Sequence, residues 1–388
     1  MKKFYLFLIL FTGYISQVEA QDPNFSQFFF KEAYYNPAFT GINPGLRAVL
    51  TNRQFWTSVP GTYSTTHLMV EFYDVKFLNG AFGLNMLSST KGESFLTANQ
   101  IGLQYAKRIG ISRDMIFQLG LGGAYGIQQV SYNRLVMPDQ LDPRLGNIFQ
   151  TEFVQPTGRN KPYLDLSAGA VCRFNIMQTS TKPIATNNIG ISFFHLNEPD
   201  NGYLPNSKAK LPLKVNAQWY SVIRVNRNSF YNSYFLVAPG ILYENQKLSK
   251  TFFKRDETGF KTLSFGLNAI IPSRLSFMSQ LYTGVWMRKQ YAKRADIDKN
   301  TYKSVTGKQF DAVVFMLGII KYSRDGKQNF RLCYSYDMTI SNASMSTGGT
   351  HEVTLAIEIH NLALPKGGRN WGYVRNPADR FFNISTGR

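Results

Sequence analysis

The stretch Tyr163-Leu164-Asp165-Leu166-Ser167-Ala168-Gly169-Ala170-Val171-Cys172-Arg173-Phe174 alternates between two chemistries. Leu164, Leu166, Ala168, Ala170, Cys172 and Phe174 make one set; Asp165, Ser167, Gly169 and Arg173 make the other. A period of two belongs to a β-strand, whose successive side chains point to opposite faces. One face suits lipid and the other water. The same pattern sets Val215, Ala217, Trp219 and Ile223 against Lys214, Asn216, Gln218 and Arg224. It recurs at 262–271, where Leu263, Phe265, Leu267 and Ala269 oppose Thr262, Ser264, Gly266 and Asn268.

Read outward from these segments, the chain is predicted to hold fourteen strands. They lie near 46–57, 62–75, 80–89, 95–108, 113–128, 163–174, 187–197, 213–225, 231–243, 260–271, 275–288, 310–322, 328–340 and 350–360. Several reach twelve residues or more, beyond the five or six usual in soluble sheets. An even count lets an antiparallel meander close with both ends on one side. The links give an independent test. Those at 76–79, 109–112, 226–230, 272–274 and 323–327 are short, with 175–186 the longer exception, whereas the alternate links include 129–162, 198–212, 244–259 and 289–309. Short periplasmic turns alternating with long external loops are the habit of outer-membrane barrels. The expectation is therefore an all-β fold: a 14-stranded antiparallel transmembrane β-barrel of the outer membrane over 46–360, in contact with outer-membrane lipid.

Composition points the same way. The 388 residues carry a net charge of +19, yet only 17% are charged and 15% are aromatic, a balance that excludes disorder. Lys and Arg are scattered without a block of five like charges, so the basic excess does not predict a nucleic-acid partner. Cys172 and Cys333 fall on the apolar and polar sets respectively, so no disulfide is expected. No run of 18 apolar residues follows residue 20, so transmembrane helices are not expected, and a soluble exported protein or a transmembrane barrel are the choices this leaves.

Met1-Lys2-Lys3, the apolar run 4–11 and Val18-Glu19-Ala20 read as a secretory signal peptide, 1–20, cut between Ala20 and Gln21. Residues 21–45, punctuated by Pro23, Pro37 and Pro44, are expected to be extended and irregular, at the periplasmic mouth or in the lumen. Their aromatic residues, Phe25, Phe28, Phe29, Phe30, Tyr34 and Tyr35, belong to no strand and suit either a plug or a docking surface for a periplasmic partner. Residues 361–388 are expected to form a periplasmic tail. The external loops bearing Pro138, Asp139, Pro143 and Pro156, with Glu198 and Asp200, are long, mixed in charge and stiffened by proline, which lowers the cost of ordering on a folded partner.

Catalytic patterns are missing from the sequence. His195 and His360 read as interfacial residues at strand ends, and His351-Glu352 as a hydrogen-bonding partner of the Tyr336-Asp337 strand. No metal-ligand spacing occurs, so no enzyme, metal or cofactor is expected. Gly120, Gly122, Gly123 and Gly126 sit inside an alternating strand, where glycine relieves crowding at a bend or lets another backbone approach. Lys214, Arg224 and Arg331 would make the lumen basic, so a passive diffusion porin is the alternative function.

Gln21-Asp22-Pro23-Asn24-Phe25-Ser26-Gln27-Phe28, followed by Tyr35-Asn36-Pro37-Ala38-Phe39-Thr40-Gly41, resembles the opening motif of the PorP/SprF family of type IX secretion outer-membrane proteins. Arg53-Gln54-Phe55-Trp56 is similar to that family's Arg-Gln-Trp element with one residue inserted. Tyr334-Ser335-Tyr336-Asp337 with Gly348, Gly349, His351 and Glu352 resembles its closing hairpin. The family often ends on a cysteine-containing tail, which this chain lacks. The resemblance implies a non-enzymatic Bacteroidota barrel serving gliding motility or protein secretion. Its implied partners are a secreted adhesin with a type B C-terminal domain and, for some members, a peptidoglycan-binding periplasmic lipoprotein.

Overall fold

A strand with one apolar face and one polar face leaves its edges unpaired, and in lipid an unpaired edge is prohibitive. Closure solves this by pairing the first strand with the last. The computed structural model describes residues 22–359, apart from 44, 59–60, 62, 76–79, 93–95, 113, 133–134, 155–160, 180–181, 203–208, 229–232, 248–258, 274, 295–304, 324–327 and 341–347. Its barrel strands are β1 (Leu46–Phe55), β2 (Tyr63–Val75), β3 (Gly80–Lys91), β4 (Leu96–Ser112), β5 (Met115–Val130), β6 (Tyr163–Thr179) and β7 (Lys182–Phe194). The second half holds β8 (Lys214–Asn228), β9 (Ser233–Lys247), β10 (Gly259–Pro272), β11 (Gln280–Arg294), β12 (Val305–Tyr322), β13 (Gln328–Thr339) and β14 (Thr350–Ile359). Every neighbouring pair is antiparallel, and β1 pairs with β14 from Leu46↔Ile359 to Phe55↔Thr350, closing the fourteen-stranded barrel.

The alternation becomes an inside and an outside. Leu103, Leu121, Leu164, Val285 and Leu317 are exposed on the outer wall, whereas Gln104, Gln118, Asp165 and Asn216 are buried within. Among the described residues no helix is long and apolar enough to cross a membrane.

Two expected links are shorter than the sequence implied. The pairing of β6 with β7 continues through Asn175↔Thr186 and Ile176↔Ala185, so 175–186 is mostly strand. Likewise β11 runs to Arg294 and β12 starts at Val305, taking up half of 289–309. Apolar alternation lapses there, but ladder hydrogen bonds need only backbone, and strands run on past the apolar belt. The link between β5 and β6 holds a 3-10 turn at Pro138–Gln140 and a small hairpin pairing Leu141–Asp142 with Gly146–Asn147.

The segment before β1 is neither extended nor confined to a mouth. It folds into a 3-10 turn (Phe28–Phe30), one helical turn (Glu32–Tyr35) and a second 3-10 turn (Pro37–Phe39). Asn36 shapes the last by accepting from Ala38 N at 2.9 Å. This segment runs down the lumen. Asp22 contacts His195 and Lys214 at the long-link end, Asn36 meets the middle of β6 and β7, and Ile42 meets Arg108 and Arg173 near the short-link end. It then enters β1 at Leu46.

Candidate functional site

Charged side chains inside a barrel must find partners there, since the wall screens them from bulk water. The first cluster joins the plug to β1, β13 and β14. Arg53 and Glu352 face each other across the closing seam, in register. Arg53 Nη1 donates to Glu352 Oε2 at 2.9 Å and to Ser26 Oγ at 2.6 Å, while its Nη2 donates to Asp337 Oδ2 at 3.0 Å. Ser26 N donates to Glu352 at 2.8 Å, and Ser26 Oγ donates to Asp337 at 2.6 Å. Gln27 Nε2 donates to Ser335 Oγ and to the Glu352 carbonyl. Lys31, fully buried, donates to Glu352 Oε1 at 2.9 Å and lies 3.3 Å from the Phe25 ring centroid. Burial pulls this ammonium down to about 7, against Glu352, which holds it up. Arg288 links Asp337 to Asp311. Three cations, Lys31, Arg53 and Arg288, thus meet three carboxylates, Glu352, Asp337 and Asp311.

A second cluster ties the helical turn to the short-link half of the seam. Arg47 Nη1 donates to Glu32 and its Nη2 to the Phe30 carbonyl, both at 2.8 Å, and its Nε lies 3.5 Å from Glu358. A third latches the start of the plug. His195 Nε2 lies 3.0 Å from Asp22 and its Nδ1 3.0 Å from Asp165, while Lys214 bridges Asp22 and Glu244. Burial disfavours the His195 cation, but Asp22 and Asp165 outweigh it and push the imidazole up to about 9. Burial equally opposes Asp22 ionisation, yet His195 and Lys214 hold that carboxyl well below its usual range.

Between these clusters the fit is steric. A Cβ on Gly120 would stand 2.3 Å from Ala38 N and Pro37 C, and one on Gly169 would stand 2.0 Å from Asn36 Oδ1. Gly120 therefore admits the plug backbone, the second of the two roles read for it, and Gly169 admits the Asn36 side chain. Asn36 Nδ2 donates to the Ala170 and Ile191 carbonyls, and Gln118 Nε2 to the Thr40 carbonyl. Gly41 has φ +56 and packs against Ala81 and the Phe72 carbonyl, a place and a conformation that need glycine. Phe28 meets Trp286 edge-on at 5.0 Å.

The motif residues thus converge. Asp22, Pro23, Phe25, Ser26, Gln27, Phe28, Asn36, Pro37, Ala38 and Gly41 line one path, with Phe25 and Phe28 buried in the barrel and not turned to the periplasm. Arg53, Asp337 and Glu352 hold it. The expected bond from His351-Glu352 to the neighbouring strand is divided: His351 Nδ1 pairs with Tyr334 OH at 2.7 Å and its ring packs on Tyr336, whereas Glu352 turns to the plug. Trp56 lies beyond β1, at φ +56, packed on Phe55 and Tyr63. His195 is not an interfacial residue but is buried between two carboxylates. Of the lumen cations read from the sequence, Lys214 meets Glu244 and Arg331 meets Glu358, while Arg224 stands on the same inward face of β8.

Other sequence-selected residues lie apart from this core. Pro138 opens the 3-10 turn of the long loop, Asp139 accepts from Thr151 Oγ1 and Glu152 N, and Pro143 is exposed in the small hairpin. Glu198 has φ +42 and donates its N–H to the His195 carbonyl; Asp200 accepts from Gly202 N and Ala209 N. Ala20, Gln21, Pro156, His360 and the tail 361–388 lie outside the described residues. Sequence reading missed Lys31, Glu32, Arg47, Asp165 and Arg288 as site residues; for Arg47, Asp165 and Arg288 the available signal was charge at inward positions of strands whose other face is apolar, a signal that Lys31 and Glu32, outside the strands, do not carry. Both cysteines are free, and no group of three His, Cys, Asp or Glu suited to a metal occurs among the described residues.

The family model of the type IX secretion system membrane protein PorP/SprF matches residues 17–357. Among solved structures the chain is similar to CdiB from Acinetobacter baumannii, at 9% identity and TM-score 0.40, covering 80% of this chain and 60% of that one. The translocator domain of autotransporter NalP from Neisseria meningitidis gives 13% and 0.33, with 81% and 88% covered. The CymD monoaromatic hydrocarbon channel gives 12% and 0.40, with 85% and 93% covered. The chain therefore spans under two thirds of the length of CdiB. No curated protein matches it.

Proposed function

The chain belongs to the PorP/SprF family of type IX secretion system membrane proteins, and from that premise we propose that it is a plugged outer-membrane barrel that retains a secreted adhesin at the cell surface. The single observation behind this reading is the plug: residues 22–43 occupy the lumen along its length and bind the wall through Arg47, Arg53, Arg173, Asp337 and Glu352. A diffusion porin requires an open lumen, so the plug disfavours that alternative. Capture then falls to the long loops, with the loop bearing Pro138, Asp139, Pro143 and Pro156 and that bearing Glu198 and Asp200 meeting a partner with a type B C-terminal domain. Cleavage between Ala20 and Gln21 frees the plug to enter. With Phe25 and Phe28 buried, a periplasmic peptidoglycan-binding lipoprotein is left the tail 361–388 and the short links.

Cross-linked native membranes solubilised around a tagged chain should yield a secreted protein with a type B domain, and the purified barrel should show no large steady conductance in planar bilayers. A large open conductance with no secreted protein recovered would favour the porin.

A further inference from the structure

At the long-link end, a cavity of about 100 Å³ separates the start of the plug from the inner wall of β2 to β8. Ala98, Gly102, Gly122 and Ala124 leave the wall there almost without side chains. Around this hollow stand five residues with buried polar atoms: Asp165 Oδ1, Asn201 Nδ2 and Asn216 Oδ1 have no protein partner, and the His67 ring and the Asn85 side chain engage each other. His67, Asp165, Asn201 and Asn216 are each more than nine-tenths buried. Desolvating such an atom without a partner is costly, so their gathering on one cavity points to a ligand.

The chemistry of the lining narrows its class. Asp22 and Asp165 stand with Lys91, Lys214 and His195, so the surroundings select neither an anion nor a cation. Two of the partnerless atoms, on Asp165 and Asn216, only accept hydrogen bonds; Asn201 Nδ2 donates, and neutral His67 keeps one ring nitrogen beyond the one Asn85 engages. Tyr34 and Tyr163 add aromatic surface. A neutral molecule with several hydroxyls and a flat C–H face satisfies all of these demands. We propose that this vestibule binds a neutral sugar ring, either of a free saccharide or of a glycan carried by a secreted protein.

The test uses the full-length mature chain, purified in a zwitterionic detergent so that no detergent sugar competes. Saturation-transfer NMR against a panel of neutral methyl glycosides should show transfer to at least one ring. Ala124→Leu, which fills the hollow, should abolish the signal, and Asn201→Leu, which removes one unpartnered donor at similar volume, should weaken binding about fivefold. Both variants must retain heat-modifiable mobility, the sign of a closed barrel. Purified surface polysaccharide and a glycosylated secreted protein, each before and after glycosidase treatment, then compete against the glycoside to assign the source. No transfer to any glycoside, transfer unchanged in both folded variants, or stronger transfer to tetraglycine than to every sugar would overturn the proposal. The first of these outcomes would mean that water alone serves these groups.

Discussion

Arg53 illustrates how much rests on one luminal charge. Its guanidinium is shared by Ser26, Asp337 and Glu352, all buried, so its loss leaves carboxylates without their main counter-charge. Breaking such a buried pair costs about 3–5 kcal/mol, although an apolar replacement of the whole set can be neutral. Arg53→Met should therefore lower the thermal midpoint of barrel unfolding, read by gel mobility. Adding Asp337→Asn and Glu352→Gln should not restore it, because Lys31 and Arg288 lose those same carboxylates. His195 gives a pH signature. Its pKa rises from 6.5 to about 9 in the fold, so its contribution is complete below about 6.5 and is lost as pH climbs through 9. Asp22 is shifted down, so its contribution is present above about 3.8 and fails only in stronger acid. The latch should thus hold from pH 4 to 6.5 and weaken by up to about 3 kcal/mol towards pH 9. The unfolding midpoint should fall over that range in the native chain and stay flatter in His195→Asn.

The plug is an element with little regular structure of its own, three turns totalling ten residues, and depends on the wall for its shape. Backbone carbonyls of Ala33, Tyr35, Thr40, Gly41 and Ile42 accept from Gln104, Ser192, Asn216, Gln118 and Arg108, side chains that inward strand positions supply. Gly120 is the tightest backbone contact. Gly120→Val puts a branched side chain on the Pro37–Ala38 peptide while suiting its own strand, so the barrel should close with the plug displaced. Planar-bilayer recordings should then show steady conductance that the native chain lacks. A closed G120V barrel would mean that the plug can reseat around the intrusion.

At the scale of the whole molecule, the barrel keeps its two ends distinct. The β5–β6 link is anchored by its own hairpin and by Asp139, with exposed apolar residues including Leu145, Phe149 and Val154. Such a surface on a long loop suits a partner better than solvent. Deleting residues 135–156 should release the captured protein from the cell surface while leaving barrel mobility and the closed lumen unchanged. Co-purification from native membranes reads the first effect and bilayer recording the second. Release accompanied by an open channel would tie the loop to the plug instead.

The barrel was legible in the sequence because lipid outside and water inside impose opposite chemistry on alternate residues, and Leu164 to Phe174 record it one residue at a time. Strand number and the sidedness of the links followed from the same local rule. Strand ends did not, because beyond the apolar belt the ladder at Asn175↔Thr186 is held by backbone bonds and a polar side-chain pair, which leave no apolar alternation to read. The motif at 22–41 stood out in the sequence, but where it lies was decided only by tertiary structure. Its hydrogen bonds reach residues more than 300 positions away, as from Ser26 to Glu352. Nothing local to Phe25 or Phe28 distinguishes a ring packed in a lumen from one offered to a partner. That choice rests on the closing of β1 against β14, which sets Arg53 opposite Glu352, and on Gly120 of β5, which leaves room for the plug backbone, with Gly169 of β6 and Gly190 of β7, which leave room for Asn36.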